Sequence, residues 1–285
     1  MSGVDGKTAF VLAGGGSLGA VQVGMLEALV EAGLKPDMVV GSSVGALNAG
    51  FFAADPTAEG VARLGEVWRD LRRADIFPLT LRGALGWLRP SEALFDSASL
   101  RRLIERHLPY GDLEAAPVPV HVVATSLGGE SVRLSSGPAC EAIMASAAIP
   151  VVFPPVRIGD EWLVDGAIAG NTPILTAAEL GATRLIVLPT GFACDKDAPA
   201  NGAMGRGLHA LTLLIAHQMV RDLIQLGAAV EVYTVPSLCP LAVSPFDFTH
   251  TNDLIARAAR QTREWMAAGG LTRQEIPGAL RAHAH

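Results

Sequence analysis

Short apolar runs alternate with longer runs of helical character along most of this chain. The short runs are typical of inner β-strands and cover Ala9–Leu12, Met38–Val40, Pro119–Ala124, Leu185–Leu188 and Val230–Val235. The longer runs predict helices over residues 19–32, 46–54, 55–73, 97–107, 139–147, 172–180, 204–226 and 253–268. This alternation predicts an α/β fold, a three-layer sandwich in which helices cover both faces of a mainly parallel central sheet.

We expect the whole chain, residues 1–285, to form one domain. The sequence contains no low-complexity linker and no internal repeat that would divide it, and α/β domains of this length commonly stay single. The motif-bearing core spans about residues 8–188, and a C-terminal strand with its helices spans about residues 204–282.

A Gly-x-Ser-x-Gly pattern, Gly41 to Gly45, joins a predicted strand to a predicted helix. It is typical of a nucleophile elbow, in which a tight strand-to-helix turn pushes the central serine, Ser43, into a cleft. Gly41 and Gly45 let neighbouring chain pass close to the serine, and the N–H groups of the following helix point at any oxyanion formed there. With 31 glycines in the chain, the pattern alone also fits a structural turn in which Ser42 or Ser43 caps the helix.

A glycine-rich turn, AGGGSLGA, lies between the first predicted strand and helix. Its consecutive glycines leave backbone N–H groups bare and able to converge on an anion. Gly14, Gly16 and Gly19 also fit a dinucleotide-binding pattern, but the second strand runs into Ser43 instead of the acidic residue that such a site needs. A phosphate-binding P-loop would need a lysine that this turn lacks. We therefore interpret the turn as an oxyanion hole beside Ser43.

A predicted hairpin around Gly159 and Asp160 ends at Asp165, which is followed by Gly166. An Asp-Gly pair is by itself most often a turn. Asp165 becomes a candidate for chemistry because of the two motifs that precede it.

Together the three motifs resemble those of the patatin-like phospholipase family. They stand here as Gly14-Gly15-Gly16-Ser17-Leu18-Gly19, Gly41-Ser42-Ser43-Val44-Gly45 and Asp165-Gly166-Ala167. The segment from Ala145 to Pro154 is similar to the small-residue and proline segment that commonly lies between the second and third motifs. The resemblance covers about Thr8 to Leu188.

The resemblance implies a serine lipid acyl hydrolase that uses a Ser-Asp dyad, an acyl-serine intermediate and no metal or cofactor. It makes Ser43 the nucleophile, Asp165 the base, and the backbone amides of Gly14, Gly15 and Gly16 the oxyanion hole. Leu18 departs from the family, which often has Arg or Lys there. A charge that would meet an anionic headgroup is therefore absent from the turn.

Three alternatives stay open. A Ser-His-Asp triad would use a histidine downstream of Asp165, namely His209, His217 or His250. An acyltransferase would pass the acyl group from Ser43 to an alcohol or thiol. A non-catalytic protein of the same fold would bind a lipid or a partner, although every catalytic position is occupied here.

Residues 76–95 carry many large apolar side chains without a clean period. The segment either covers the core or forms a mobile flap that contacts lipid and admits acyl chains. The side chains that would make those contacts are Phe77, Leu81, Leu85, Trp87 and Leu88.

The net charge of −6 and the sequence pI of about 5.6 disfavour a nucleic-acid partner. The expected partner is a lipid or ester substrate, with peripheral contact to a membrane surface, and the oligomeric state is not set by these features. The chain starts without a basic and apolar leader and has no apolar stretch long enough to cross a bilayer. We therefore expect a cytoplasmic protein.

Overall fold

A computed structural model describes residues 6–77, 95–191, 218–239, 241 and 243–274. Within them the strands are β1 (Lys7–Leu12), β2 (Met38–Ser42), β3 (Val120–Ser126), β4 (Ser131–Leu134), β5 (Val156–Ile158), β6 (Glu161–Val164), β7 (Ala182–Leu188) and β8 (Glu231–Thr234). The α-helices are α1 (Gly19–Glu31), α2 (Val44–Ala54), α3 (Ala58–Asp70), α4 (Arg73–Ile76), α5 (Ala98–His107), α6 (Ala139–Ser146), α7 (Ala167–Gly170), α8 (Ile174–Glu179) and α9 (Thr251–Ala267). Residues 218–226 are also helical. None of the described helices is both long and apolar enough to cross a membrane.

The described strands form one sheet in the order β5-β6-β3-β2-β1-β7-β8, and β4 pairs with β3 outside this path. The run from β3 to β8 is parallel throughout. The strands β4, β5 and β6 join it by antiparallel pairing. The predicted α/β fold with a mainly parallel central sheet is confirmed.

Each face of the sheet supports its own apolar core. In β1, Phe10 and Leu12 belong to one core and Ala9 and Val11 to the other. The first core is completed by α1, α2, α3, α5, α6 and α9, and the second by α8 and the helical residues 218–226. Because both faces are covered, an inner strand such as β1 reads as a nearly continuous apolar run.

The helix predicted over residues 55–73 is divided in the structure. Thr57 caps α3 by accepting a hydrogen bond from the N–H of Gly60 at 3.2 Å, so the helix begins at Ala58. Leu71 has extended backbone angles (φ −62°, ψ 130°) and ends it. The short helix α4 follows as a separate element.

The strand β4 was missed by the sequence pattern. Exposed Ser131 and Arg133 alternate there with half-buried Val132 and Leu134. Four residues of such alternation are too few to stand out from a loop.

Candidate active site

The sheet brings the ends of β2 and β6 together. Val122 and Val123 of β3 pair with both β2 and β4, whereas Thr125 pairs with both β4 and β6. The strands β2 and β6 therefore share one edge of β3. Since β2 runs parallel to β3 and β6 antiparallel, they approach each other end to end. The next residues, Ser43 and Asp165, meet in the gap between them.

Ser43 has a backbone conformation that few non-glycine residues adopt. Its φ of 56° and ψ of −126° lie outside the regions favoured by L-residues, so neighbouring structure must hold them. Close packing does so: a Cβ on Gly45 would lie 2.2 Å from the carbonyl oxygen of Leu12, and a Cβ on Gly41 would lie 2.3 Å from that of Gly45. This strained turn between β2 and α2 is the geometry of a nucleophile elbow.

A buried hydrogen bond joins the two polar side chains. The hydroxyl of Ser43 donates to Asp165 Oδ2 at 2.7 Å. The other carboxylate oxygen, Oδ1, accepts from the N–H of Ala167 at 2.8 Å, which fixes the carboxylate from the opposite side. Ser43 is 6% exposed and Asp165 only 3%. The pair is thus shielded from water in the geometry that proton transfer from serine to carboxylate requires.

Burial raises the pKa of Asp165 from 3.8 to about 6. Desolvation disfavours the charged carboxylate, and the hydrogen bonds from Ala167 and Ser43, which favour it, offset only part of that effect. At pH 7 the group is still mostly ionised, and it is a stronger base than an exposed aspartate.

Ser146, at the end of α6, is hydrogen-bonded to the turn that carries Ser43. The N–H of Ser43 donates to Ser146 Oγ at 2.8 Å, and that hydroxyl donates to the carbonyl of Val123 at 2.5 Å. The carbonyl of Ser146 accepts from the N–H of Gly166 at 3.1 Å. One buried residue therefore links β3, the elbow and the turn that carries Asp165. The sequence analysis noted the small-residue segment from Ala145 to Pro154, which contains Ser146, but predicted no role for Ser146.

The glycine-rich turn lies against Ser43, since a Cβ on Gly14 would be 3.0 Å from the Cβ of Ser43. However, the N–H of Gly14 donates to the carbonyl of Asn171 at 3.0 Å. This amide is therefore not available to an oxyanion, and the prediction for Gly14 is corrected. Gly14 packs beside Ser43, and its N–H is already used by Asn171.

Three other backbone amides at the site have no hydrogen-bond acceptor among the described residues. In the described part of the chain no acceptor lies against the N–H groups of Gly15, Gly16 or Val44. Gly16 has a φ of 59°, which glycine adopts without strain. Val44 is the first residue of α2, whose N–H groups were expected to face an oxyanion, although Val44 was not named among the predicted site residues. These amides are of the kind that holds the oxyanion of an acyl-transfer reaction.

The model of the Patatin-like phospholipase family matches residues 10–178, which is more than half of the chain. The chain belongs to the patatin-like phospholipase family. The resemblance drawn from its three motifs is confirmed.

Relatives of this patatin-like chain are much longer than it is. Over 197 residues it is 26% identical to patatin-like phospholipase domain-containing protein 6 of Homo sapiens, covering 68% of this chain and 14% of that protein. Over 192 residues it is 27% identical to the neuropathy target esterase sws of Drosophila melanogaster, covering 66% and 13%. The crystal structure of VipD from Legionella pneumophila aligns with 95% of this chain and 68% of that one, at a TM-score of 0.49 and 16% identity. The chain thus spans only a small part of the length of the human and Drosophila relatives.

A fully buried polar chain holds the glycine-rich turn of this patatin-like site in place. The amide of Gln22 donates to the carbonyls of Ala13 and Leu188 at 2.8 and 2.9 Å. Asn48 in turn donates to Gln22 Oε1 at 2.8 Å and to the carbonyl of Gly19 at 3.0 Å. Trp68 Nε1 completes the chain by donating to Asn48 Oδ1 at 2.8 Å. Buried polar groups that are all paired in this way fix one arrangement of the backbone around them.

An apolar cavity of about 60 Å³ opens beside Ser43. No charged residue is in its described lining, which consists of Gly16, Ser43, Val44, Leu47, Trp68, Leu71, Ile76, Phe77, Leu100, Ala147, Ile149, Phe153 and Phe248. Leu18, where the family often has a basic residue, is itself only 1% exposed. The described surroundings of Ser43 therefore favour an apolar substrate group.

Phe77 lies in the wall of this cavity. It is 5% exposed, and its ring centroid is 5.5 Å from that of Phe95 and 5.7 Å from that of Phe153. This position corresponds to the alternative in which the segment covers the core, not to an exposed flap. The other four residues predicted for the flap, Leu81, Leu85, Trp87 and Leu88, lie outside the described residues.

Among the described residues no histidine is hydrogen-bonded to Ser43 or Asp165. His250 precedes α9 and faces Asp247, with 3.6 Å between Nε2 and Oδ2. The other two triad candidates, His209 and His217, lie outside the described residues. Asp165 therefore contacts Ser43 directly, and no described histidine lies between them.

Proposed function

We propose that this chain is a serine acyl hydrolase that cleaves carboxylic esters of lipids through an acyl intermediate on Ser43. Membership of the patatin-like phospholipase family supports lipid hydrolase activity. The observation that carries the proposal is the buried hydrogen bond between the Ser43 hydroxyl and Asp165 Oδ2, at 2.7 Å. It pairs a nucleophile with a base beside an apolar cavity.

In the first half of the reaction Ser43 Oγ attacks the carbonyl carbon of the ester. Its proton passes to Asp165 Oδ2 as the new C–O bond forms, because a serine hydroxyl is a weak nucleophile until a base accepts its proton. The negative charge that develops on the carbonyl oxygen is stabilised by the amides of Gly15, Gly16 and Val44, which have no acceptor among the described residues. Loss of one such donor costs about 2.7–4 kcal/mol in related chemistry.

Collapse of the tetrahedral intermediate expels the alcohol, which takes the proton from Asp165. The carboxylate, now ionised again, accepts a proton from water as the water attacks the acyl-serine carbonyl. A second collapse releases the fatty acid, returns the proton to Ser43 Oγ and restores the resting dyad. Proton transfers in both halves use the same carboxylate, so its pKa sets the pH range of turnover.

The lining of the cavity favours an acyl chain. The described wall includes Phe77 and Phe248 and carries no charged side chain, so an acyl chain placed there is surrounded by apolar groups. The ring centroids of Phe77 and Phe248 lie 6.4 Å apart, and Phe77 also stacks on Phe153 at 5.7 Å.

The pH dependence of fatty-acid release from phospholipid vesicles tests both substrate class and base. Between pH 4.5 and 9 we expect kcat/KM to fall about tenfold per unit below about pH 6 and to be level above it. Activity falls at low pH because Asp165 is mostly protonated below its raised pKa, and the protonated form cannot accept the serine proton. A soluble short-chain ester is assayed in parallel.

Two results would contradict this proposal. A value of kcat/KM that stayed level from pH 9 down to pH 4.5 would show that the essential base is not a carboxylate with the raised pKa of Asp165. Turnover of the soluble ester without any release from vesicles would instead place the substrate outside the phospholipids.

A further inference from the structure

Side chains near the break between α3 and α4 line two different cavities. Trp68 and Leu71 line the apolar cavity beside Ser43, whereas the residues that follow each of them in sequence, Arg69 and Arg72, line a neighbouring cavity together with Arg73. The second cavity has a volume of about 570 Å³, which is within the range of sites that bind small molecules. The segment from Trp68 to Arg73 thus contributes apolar side chains to one cavity and basic side chains to its neighbour.

The three arginines form no ion pair with a described carboxylate. Ion pairs within 4 Å among the described residues involve other arginines or His250, and Arg69, Arg72 and Arg73 take part in none of them. The guanidinium of Arg72 donates to the carbonyls of Arg69 and Leu71, at 2.7 and 3.3 Å. Three positive groups around one cavity repel one another, and an anion between them would remove that repulsion.

The opposite wall of this cavity carries one acidic group. Asp247 accepts hydrogen bonds from the N–H and hydroxyl of Thr249 at 2.9 and 2.7 Å, and it faces His250 at 3.6 Å. These contacts hold its carboxylate within its own loop. The described lining therefore keeps a net positive charge, from three arginines against one aspartate.

Aromatic rings form the partition between the two cavities. Phe248 lines both of them. Its ring stacks on Trp68 with centroids 6.3 Å apart and contacts Phe77 at 6.4 Å, while Phe246 in the basic cavity contacts Phe77 at 5.5 Å. The catalytic cavity has no charged residue in its described lining. A ligand that extends from one cavity into the other would be anionic at one end and apolar at the other.

We propose that the cavity lined by Arg69, Arg72 and Arg73 binds the phosphate of an anionic phospholipid whose acyl chain enters the Ser43 cavity past Phe248. The inference rests on the proposed lipid hydrolase function and adds a headgroup preference to it. Guanidinium groups bind phosphate oxygens through paired, charge-assisted hydrogen bonds, which makes arginine suited to this task. A free phosphate ion shares that chemistry but would leave the aromatic partition without a role.

The test uses binding to Ser43→Ala protein, so that no turnover occurs. We expect dihexanoyl-phosphatidylglycerol, measured by calorimetry below its micelle concentration, to bind at least about tenfold more weakly when Arg69→Gln and Arg73→Gln are combined. The double variant with Lys at both positions keeps the charge and should recover part of the affinity. Arg260→Gln is the matched control, because Arg260 is exposed on α9 outside the cavity and should leave binding unchanged.

Each outcome bears on the assignment. Unchanged phosphatidylglycerol binding in the Arg69→Gln, Arg73→Gln protein would overturn it, as would an equal loss in Arg260→Gln. Inorganic phosphate that bound as tightly, with the same dependence on the two arginines, would overturn the lipid assignment in favour of a free anion. Fluorophosphonate labelling of Ser43 in the wild type is measured separately, so failure of the proposed hydrolase function is distinguished from failure of the headgroup site.

Discussion

Replacement of Asp165 by asparagine should abolish nearly all ester hydrolysis and yet raise the free energy of unfolding at pH 7. Asparagine keeps the shape of the side chain and can still accept the hydrogen bond from the N–H of Ala167. It cannot accept the proton of Ser43 during attack. Loss of the base in comparable dyads and triads lowers turnover by about 10³ to 10⁴-fold.

The gain in stability follows from the raised pKa of Asp165. A carboxyl group with a pKa of 3.8 when exposed and about 6 when buried destabilises the folded state, once fully ionised, by about 3 kcal/mol. Above pH 6 this penalty is complete. As the pH falls from 6 towards 4, the folded protein binds a proton that the unfolded chain does not, and the penalty disappears. The advantage of the asparagine variant should therefore be about 3 kcal/mol at pH 7 and shrink at pH 4.

Urea unfolding of both proteins at pH 7 and pH 4, beside an esterase assay, measures these effects together. Asp160→Asn is the matched control, since Asp160 is fully exposed in the turn between β5 and β6. It should change neither activity nor the pH dependence of stability. A less stable Asp165→Asn protein that retained turnover would assign Asp165 a structural role.

Replacement of Ser43 by alanine should reduce hydrolysis of every ester by about 10⁴-fold or more, since no acyl intermediate can form. The fold should persist, because the backbone of Ser43 is held by Ser146 and by the close approach of Gly45 to β1, neither of which involves its hydroxyl. Initial rates on vesicles and on a soluble ester measure the loss. Far-ultraviolet circular dichroism and thermal unfolding report whether the fold is retained.

The neighbouring serine provides the control for this variant. Ser42 is completely buried, and its hydroxyl has no hydrogen-bond partner among the described residues. Removal of an unpaired buried hydroxyl is neutral or stabilising. Ser42→Ala should therefore remain active, and equal losses in Ser42→Ala and Ser43→Ala would argue that the elbow had been distorted in both.

Local patterns predicted the parts of the fold and site that depend on neighbours in sequence. The inner strands are visible because both of their faces are buried, as in β1. The strand-turn-helix around Ser43 is visible because Gly41 and Gly45 stand where the chain must pass close to itself. The hairpin that ends at Asp165 could be predicted in the same way, from two short strands and a glycine turn.

Contacts between distant segments could not be predicted from local patterns. Ser146 accepts a hydrogen bond from the N–H of Ser43, which is 103 residues away in sequence. No spacing rule connects two residues that far apart. Nothing in the sequence distinguishes the N–H of Gly14 from those of Gly15 and Gly16, and only the fold shows that it is already hydrogen-bonded to the carbonyl of Asn171. Arg72 and Arg73 are exposed, and only the position of the loop around Phe248 shows that they line a cavity together with Arg69.

The central claim, that Ser43 is a nucleophile activated by Asp165, is tested most directly by the mass of a covalent adduct. Wild-type protein is treated with a fluorophosphonate, which phosphonylates activated serines, and the modified residue is identified by peptide mass spectrometry. We expect a single adduct on Ser43, much slower labelling in Asp165→Asn, and none in Ser43→Ala. A folded wild-type protein that stays unlabelled, or an adduct that persists in Ser43→Ala, would contradict the account.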